Sequence, residues 1–239
     1  MPMPGTGPRP AALAGGSPLN RMTRRIAAPL VRLIFRPVIE GRERIPATGP
    51  VVFAANHLSF VDSIAIPLAA PRPVYFLAKA EYFEGHGLKG RLTRWFFTAT
   101  GAIPVRRGMH RDAQAALDTA LEVLRAGAGF GIYPEGTRSL DGRLYRGRTG
   151  VAWLALTTRA PVVPVGLVGT ERIQPVGARL PRRSPVRVRF GEPLRFGPEY
   201  GDAGSAAARR RVTDEIMQAI GELSGQERAP GYNRPPQPE

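Results

Sequence analysis

Two rhythms of apolar residues alternate along the chain. Short, nearly continuous runs rich in β-branched and aromatic side chains fall at 51–55, 74–78, 103–105, 129–133, 162–168 and 186–190. Their length and composition suit buried strands. Between them, longer stretches at 61–69, 88–100, 111–125, 151–159 and 206–223 suit helices packed on a core. Strands alternating with helices predict an α/β class, with a mostly parallel sheet covered by flanking helices. Ligands of such sheets collect at the carboxyl ends of the strands. The run at 186–190 places Arg187 and Arg189 between Val186, Val188 and Phe190, which predicts a strand with one charged face.

Ahead of this domain, Met22, Ile26, Leu30, Leu33, Ile34 and Val38 recur at helical spacing, with Arg21, Arg24, Arg25, Arg32 and Arg36 interleaved. Residues 20–37 therefore read as a basic amphipathic helix, weakened by Pro29. Two destinations stay open for it: a membrane interface, where arginines meet lipid phosphates, or the surface of the domain itself. Residues 1–19 and 225–239 are rich in Pro and Gly and poor in large apolar groups, so both are expected to be flexible tails. One domain, 38–224, lies between the helix and the second tail.

Composition narrows the chemistry. The 239 residues, 43% hydrophobic, are enough for one good-sized core. With no cysteine, disulfides, thiolate metal ligands and a thioester on the enzyme are all excluded. A net charge of +15 points to an anionic partner, although an arginine-favouring genome accounts for most of the excess. Only Lys79 and Lys89 are lysines. No apolar run reaches the roughly 18 residues that span a bilayer, and the first residues lack the pattern of a signal peptide, so a cytoplasmic location is expected.

Four segments carry candidate chemistry. Asn56-His57-Leu58-Ser59-Phe60-Val61-Asp62 follows one strand and enters a helix. On a continuous helix His57 and Asp62 would be turned about 140° apart; if His57 ends the strand and Asp62 opens the helix, the two can meet as a base and its orienting carboxylate. The plain alternative makes His57 a cap and Asp62 an ordinary first-turn acid. With neither cysteine nor a Gly-x-Ser-x-Gly elbow, the activated hydroxyl is better supplied by a substrate than by Ser59 or Ser63. Tyr133-Pro134-Glu135-Gly136-Thr137-Arg138-Ser139 also ends a strand, and the arginine fork suits a phosphate; a surface ion pair of Glu135 with Arg138 is the alternative. Arg143, Arg146 and Arg148 follow in a Gly-rich loop. Gly101-Ala102-Ile103-Pro104-Val105-Arg106-Arg107 delivers two arginines at a third strand end, and Lys79 closes a fourth.

These blocks, in this order and followed by Val162-Val163-Pro164-Val165, resemble the lysophospholipid acyltransferase family, whose best-known members are 1-acylglycerol-3-phosphate O-acyltransferases. The resemblance covers roughly residues 38 to 192. It implies that His57 is the general base and Asp62 its orienter, and that Arg107, Glu135, Gly136, Thr137 and Arg138, joined by Lys79, form the acceptor-phosphate site. It departs at Tyr133, where the family more often has Phe. The reaction implied moves a fatty acyl group from acyl-CoA or an acyl carrier protein thioester to a lysophospholipid hydroxyl, with 1-acylglycerol-3-phosphate giving phosphatidic acid. No metal and no further cofactor is expected. The expected partners are the two substrates and an anionic membrane surface, with the protein peripheral on the cytoplasmic face of the plasma membrane.

Backbone N–H groups opening the helix of Asp62 are candidates for the oxyanion site. Leu92, Trp95, Phe96 and Phe97 either line an acyl groove or, as the preferred reading, belong to the core. Acceptors other than 1-acylglycerol-3-phosphate, and a thioester hydrolase using the same pair on water, are the enzymatic rivals. A basic nucleic-acid-binding protein, suggested by +15 and Arg209-Arg210-Arg211, ranks last because zinc spacing and aromatic RNA-binding strands are absent. Gly85-His86-Gly87-Leu88-Lys89-Gly90 fits a dinucleotide fingerprint by letter, but does not directly follow a strand and is read as a loop.

Overall fold

Strand β2 (Val51–Ala55) is buried at every position, so it belongs at the centre of a sheet covered on both faces. In the computed structural model it lies between β5 (Gly129–Ile132) and β6 (Val162–Val168), parallel to both. The described residues are 20–234 except 21, 23–24, 27–28, 30–32, 34, 106–109, 174 and 176–181. Among them the sheet has seven strands. With β1 (Val38–Glu40), β3 (Val74–Lys79), β4 (Ala102–Val105) and β7 (Arg187–Phe190), the order is β1-β7-β6-β2-β5-β3-β4. Only the β6–β7 pair is antiparallel; the rest are parallel, as the strand–helix alternation requires.

Successive residues of a strand face opposite sides, and the core divides accordingly. Val52, Ala54 and Phe130 face helices α4 (His110–Arg125), α5 (Gly150–Thr158) and α7 (Ala206–Ser224), through Leu124, Leu154, Val212, Ile216 and Ile220. Val51, Phe53 and Ala55 face the other layer, with Ile66 and Ala69 of α1 (Asp62–Ala69) and Ile173 of α6 (Thr170–Ile173). Full burial of each large side chain here contributes roughly 1.5–3 kcal/mol. Strand β5 fits so closely against β3 because it carries Gly131, where a Cβ would fall inside the ring of Phe76. The charged face expected of β7 is present: Val188 and Phe190 are buried, and Arg187 is exposed.

Three expectations need correction. The segment 225–234 is not a loose tail. It runs from α7 along the loop 139–148, with backbone bonds between Leu144 N and Glu227 O at 2.8 Å, Ala229 N and Leu144 O at 2.9 Å, and Arg146 N and Gly231 O at 2.8 Å. Ala229 and Asn233 are buried in it, so hydrogen bonds replace the large apolar groups whose scarcity suggested disorder. Residues 235–239 and 1–19 lie outside the described residues.

Second, Leu92 and Trp95 of α3 (Gly87–Ala99) are exposed, not core. Phe97 is buried in an aromatic group with Phe60, Tyr82, Phe83 and Phe96. Tyr82 and Phe83 come from α2 (Glu81–Glu84), which the sequence pattern had left unmarked. Third, Val38 continues no helix: it opens β1, a three-residue strand too short to show a period. Of the expected helix 20–37, the described residues 20, 22, 25, 26, 29, 33 and 35 are helical. Met22, Ile26 and Leu33 are exposed, and Asn20 Nδ2 donates to Ala99 O at the end of α3 at 3.0 Å.

Candidate active site

Because β2, β5, β3 and β4 are parallel and adjacent, their carboxyl ends share one edge of the sheet. Those ends lead into His57, Tyr133-Pro134-Glu135, Lys79 and Arg106-Arg107 in turn. At about 4.8 Å per strand, the loop after β5 is the immediate neighbour of His57, and Lys79 stands roughly 10 Å away. Lys79 and Arg138 are exposed, Gly136 is exposed and Thr137 half-buried. Arg107 falls among 106–109 and so outside the described residues.

The chain turns back after β2, and the turn is organised by one oxygen. Asp62 opens α1 with its side chain buried, and its Oδ2 accepts from His57 Nδ1 at 2.8 Å, Leu58 N at 2.7 Å and Ser59 N at 2.7 Å. An ionised carboxylate only accepts, so Nδ1 carries the ring hydrogen and Nε2 keeps its lone pair. The imidazole stacks on Tyr133, ring centroids 3.8 Å apart and planes within 9°. Tyr133 is held in turn by a 3.0 Å hydrogen bond between its hydroxyl and Ser63 Oγ. Burial, and secondarily the charge of Asp62, push the Tyr133 hydroxyl well above its ordinary pKa, so it stays a neutral stacking partner. The sequence marks Tyr133 only as a departure from the resemblance; its contact with His57 arises across two strand ends.

Two bonds tie this turn to the loop after β5. Ser139 N donates to His57 O at 2.7 Å, and His57 N donates to Glu135 Oε1 at 3.0 Å. The other carboxylate oxygen of Glu135 accepts from Tyr145 N at 3.0 Å. Glu135 is fully buried. Its expected place among the phosphate contacts is therefore corrected: both oxygens already serve backbone N–H groups, and a carboxylate would repel a phosphate. Burial pushes its carboxyl up to about 7 against the opposing bonds from Tyr145 and His57. Gly136 adopts φ 80°, and a Cβ there would stand 2.9 Å from Arg148 Nε, so the turn brings backbone close to the arginine loop.

Among the trailing arginines, Arg143 is paired to Asp141 at 2.7 Å, and Asp141 also accepts from Ser139 Oγ and Tyr145 OH. Arg146 and Arg148 lie over the ring of Tyr232 at 5.2 and 5.6 Å. The candidate oxyanion donors are reduced as well, since the N–H groups of Leu58 and Ser59 serve Asp62 and that of Asp62 serves Ser59 O at 3.2 Å. Sequence reasoning gave Asn56 no role. It is buried beside His57, its Oδ1 accepting from Leu167 N at 2.8 Å while Nδ2 donates to Leu167 O at 2.9 Å, pinning the end of β2 to β6. Among the described residues, no cluster of three or more His, Cys, Asp or Glu has the geometry to hold a metal ion.

Comparison with known proteins gives concordant results. A family model described as Acyltransferase matches residues 36–168. A chloroplastic 1-acyl-sn-glycerol-3-phosphate acyltransferase of Brassica napus is 32% identical over 76% of this chain and 51% of its own length. A chloroplastic protein of the same description from Arabidopsis thaliana is 33% identical over 65% of this chain and 43% of its own. The chain thus spans about half the length of these curated relatives. A Bacillus subtilis protein named 1-acyl-sn-glycerol-3-phosphate acyltransferase is 27% identical over 77% of this chain and 86% of its own. Among solved structures, the 1-acyl-sn-glycerophosphate acyltransferase PlsC of Thermotoga maritima superposes with a TM-score of 0.62 at 26% identity, covering 85% of this chain and 82% of that one.

Proposed function

From the premise that the chain belongs to the acyltransferase family, we propose that it moves a fatty acyl group from a thioester to the free hydroxyl of 1-acylglycerol-3-phosphate. The names of its relatives support that acceptor. The observation that carries the reading is a single juxtaposition. His57, whose ring Nδ1–H is committed to buried Asp62 at 2.8 Å, accepts at its backbone carbonyl, at 2.7 Å, from Ser139 N in the loop that bears Arg138.

In the proposed step the hydroxyl oxygen of the acceptor attacks the thioester carbonyl carbon while His57 Nε2 takes its proton. The C–O bond forms, the C–S bond breaks, and the proton passes from His57 to the departing thiolate, leaving ester and thiol. Asp62 holds the ring and stabilises the imidazolium formed in passing. Arg138, with Thr137, the Gly136 backbone, Lys79 and Arg107, receives the acceptor phosphate. Glu135 acts by bracing the two loops. The acyl donor is acyl-CoA or an acyl carrier protein thioester. The exposed Met22, Ile26 and Leu33, beside a net charge of +15, suit a peripheral attachment to an anionic membrane face, for which we retain the cytoplasmic side. No helix of the described residues is long and apolar enough to cross a membrane.

The test offers purified protein labelled acyl-CoA and acyl carrier protein thioester with a panel of lysolipids. Transfer to lysophosphatidic acid, abolished in His57→Ala, is expected. Steady thioester hydrolysis without any acceptor, or normal transfer by His57→Ala, would sink the reading.

A further inference from the structure

The segment 225–234 lies far in sequence from both halves of the site, yet touches both. Gln226 Oε1 accepts from Asn56 Nδ2 at 2.8 Å, and Gln226 Nε2 donates to Gly142 O at 2.7 Å. A line of side-chain bonds thus runs from Leu167 of β6 through Asn56, the residue before His57, and across Gln226 to the arginine-bearing loop. Further along the strap, buried Asn233 donates through Nδ2 to Arg138 O at 3.0 Å and to Thr137 O at 3.4 Å. Between these two anchors the strap pairs with residues 144–146 through backbone bonds, and Tyr232 lies under the guanidinium groups of Arg146 and Arg148.

A loop with exposed cationic side chains and many backbone carbonyls is a poor clamp unless something fixes it, because ordering on ligand binding subtracts from affinity. Here the residues that grip and the residues that fix are distinct. Arg138 offers its side chain outward while its carbonyl is held from beneath by Asn233. We propose that residues 226–233 form a positioning strap for the candidate active site, with Gln226 aligning the end of β2 that carries His57, and Asn233 presetting the Thr137–Arg138 backbone for an acceptor phosphate. The role in acceptor binding rests on the reading of the site given above; the ordering of the two loops does not.

The test uses the full chain with Asn233→Asp and Gln226→Ala. Asn233→Asp conserves size but replaces the donor with a carboxylate facing two carbonyls, so a side chain present only as filler would tolerate it and a positioning donor would not. Asn233→Ser, which keeps a shorter donor, is the partial rescue. For Asn233→Asp we expect the KM for lysophosphatidic acid to rise about tenfold, the equivalent of one hydrogen bond to the clamp, with the KM for the acyl donor within about twofold. For Gln226→Ala we expect kcat to fall by a similar factor with the acceptor KM little changed. Hydrogen exchange is read on the same proteins, and faster exchange confined to 56–59 and 136–148 is expected.

Unchanged exchange in both variants overturns the strap. Changed exchange with unaltered acceptor KM overturns its role in binding. A uniform rise in exchange with a parallel loss of all activity reduces it to ordinary structural support and also overturns the proposal. Should the wild-type protein transfer no acyl group to any lysolipid, the reading of the site has failed, and exchange still decides whether the strap orders these loops.

Discussion

In the proposed step His57 can take a proton only through a ring nitrogen that carries no hydrogen of its own. Asp62 settles that, and three donors converge on the same Asp62 oxygen, so Asp62→Asn forces an amide to answer donors with half the accepting capacity. We expect kcat to fall by about 10⁴-fold, as when the carboxylate of a comparable triad is made an amide, with little change in either KM. Transfer above a tenth of wild type would show that the tautomer is set elsewhere. Glu135 makes a second residue-scale prediction. In Glu135→Gln one of the two backbone N–H donors, of His57 or Tyr145, meets an amide NH₂, at a cost of about 1–3 kcal/mol.

The pH dependence of Glu135 follows from its carboxyl being raised from 4.5 to about 7 in the fold. Between those values the folded protein keeps a proton that the unfolded chain releases. Stability is therefore fully present below about pH 4.5 and declines as pH rises to about 7, by roughly 3 kcal/mol in all. Urea midpoints across that range should fall in the wild type and run flat in Glu135→Gln; parallel curves would refute the assignment. The sequence pointed to Glu135 as functional, but only its two backbone partners, one of them Tyr145, reveal a brace where a ligand contact was expected.

At the scale of elements, the strands and long helices were legible because each depends on its own apolar pattern. The helix expected at 111–125 is observed at His110–Arg125, and the strand expected at 162–168 is observed there. The short elements β1, α2 and α6 escaped because so few positions display no period, whereas β4, β5 and β7, of four residues each, were marked by their apolar runs or alternation. Strand β5 shows what a pattern conceals: the run Gly129-Phe130-Gly131-Ile132 reads as a strand, but does not reveal that Gly131 is the place where the Phe76 ring lies against it. Gly131→Ala should therefore destabilise the protein by about 1–3 kcal/mol, by overpacking rather than by backbone preference. A shortened partner tests this: Phe76→Leu combined with Gly131→Ala should recover part of the loss in thermal melting, and strictly additive losses would contradict it.

For the whole molecule, the charge of +15 was legible from composition and predicts behaviour without further geometry. Sedimentation with vesicles containing anionic phospholipid should be strong at low salt and weaken steeply toward 0.5 M, while neutral vesicles retain little protein; salt-insensitive binding would assign the attachment to apolar insertion. What the sequence determined by itself was the order of strands and helices, the His57–Asp62 spacing and the arginine excess. Each is a property of neighbouring residues or of a sum over all of them. Only the tertiary structure decided that Tyr133 stacks on His57, that Glu135 spans to Tyr145, and that Gln226 and Asn233 reach Asn56 and Arg138. Those meetings depend on which strands lie side by side and where a polar segment finds unpaired carbonyls. No local pattern of hydrophobicity encodes either one across as many as 170 residues.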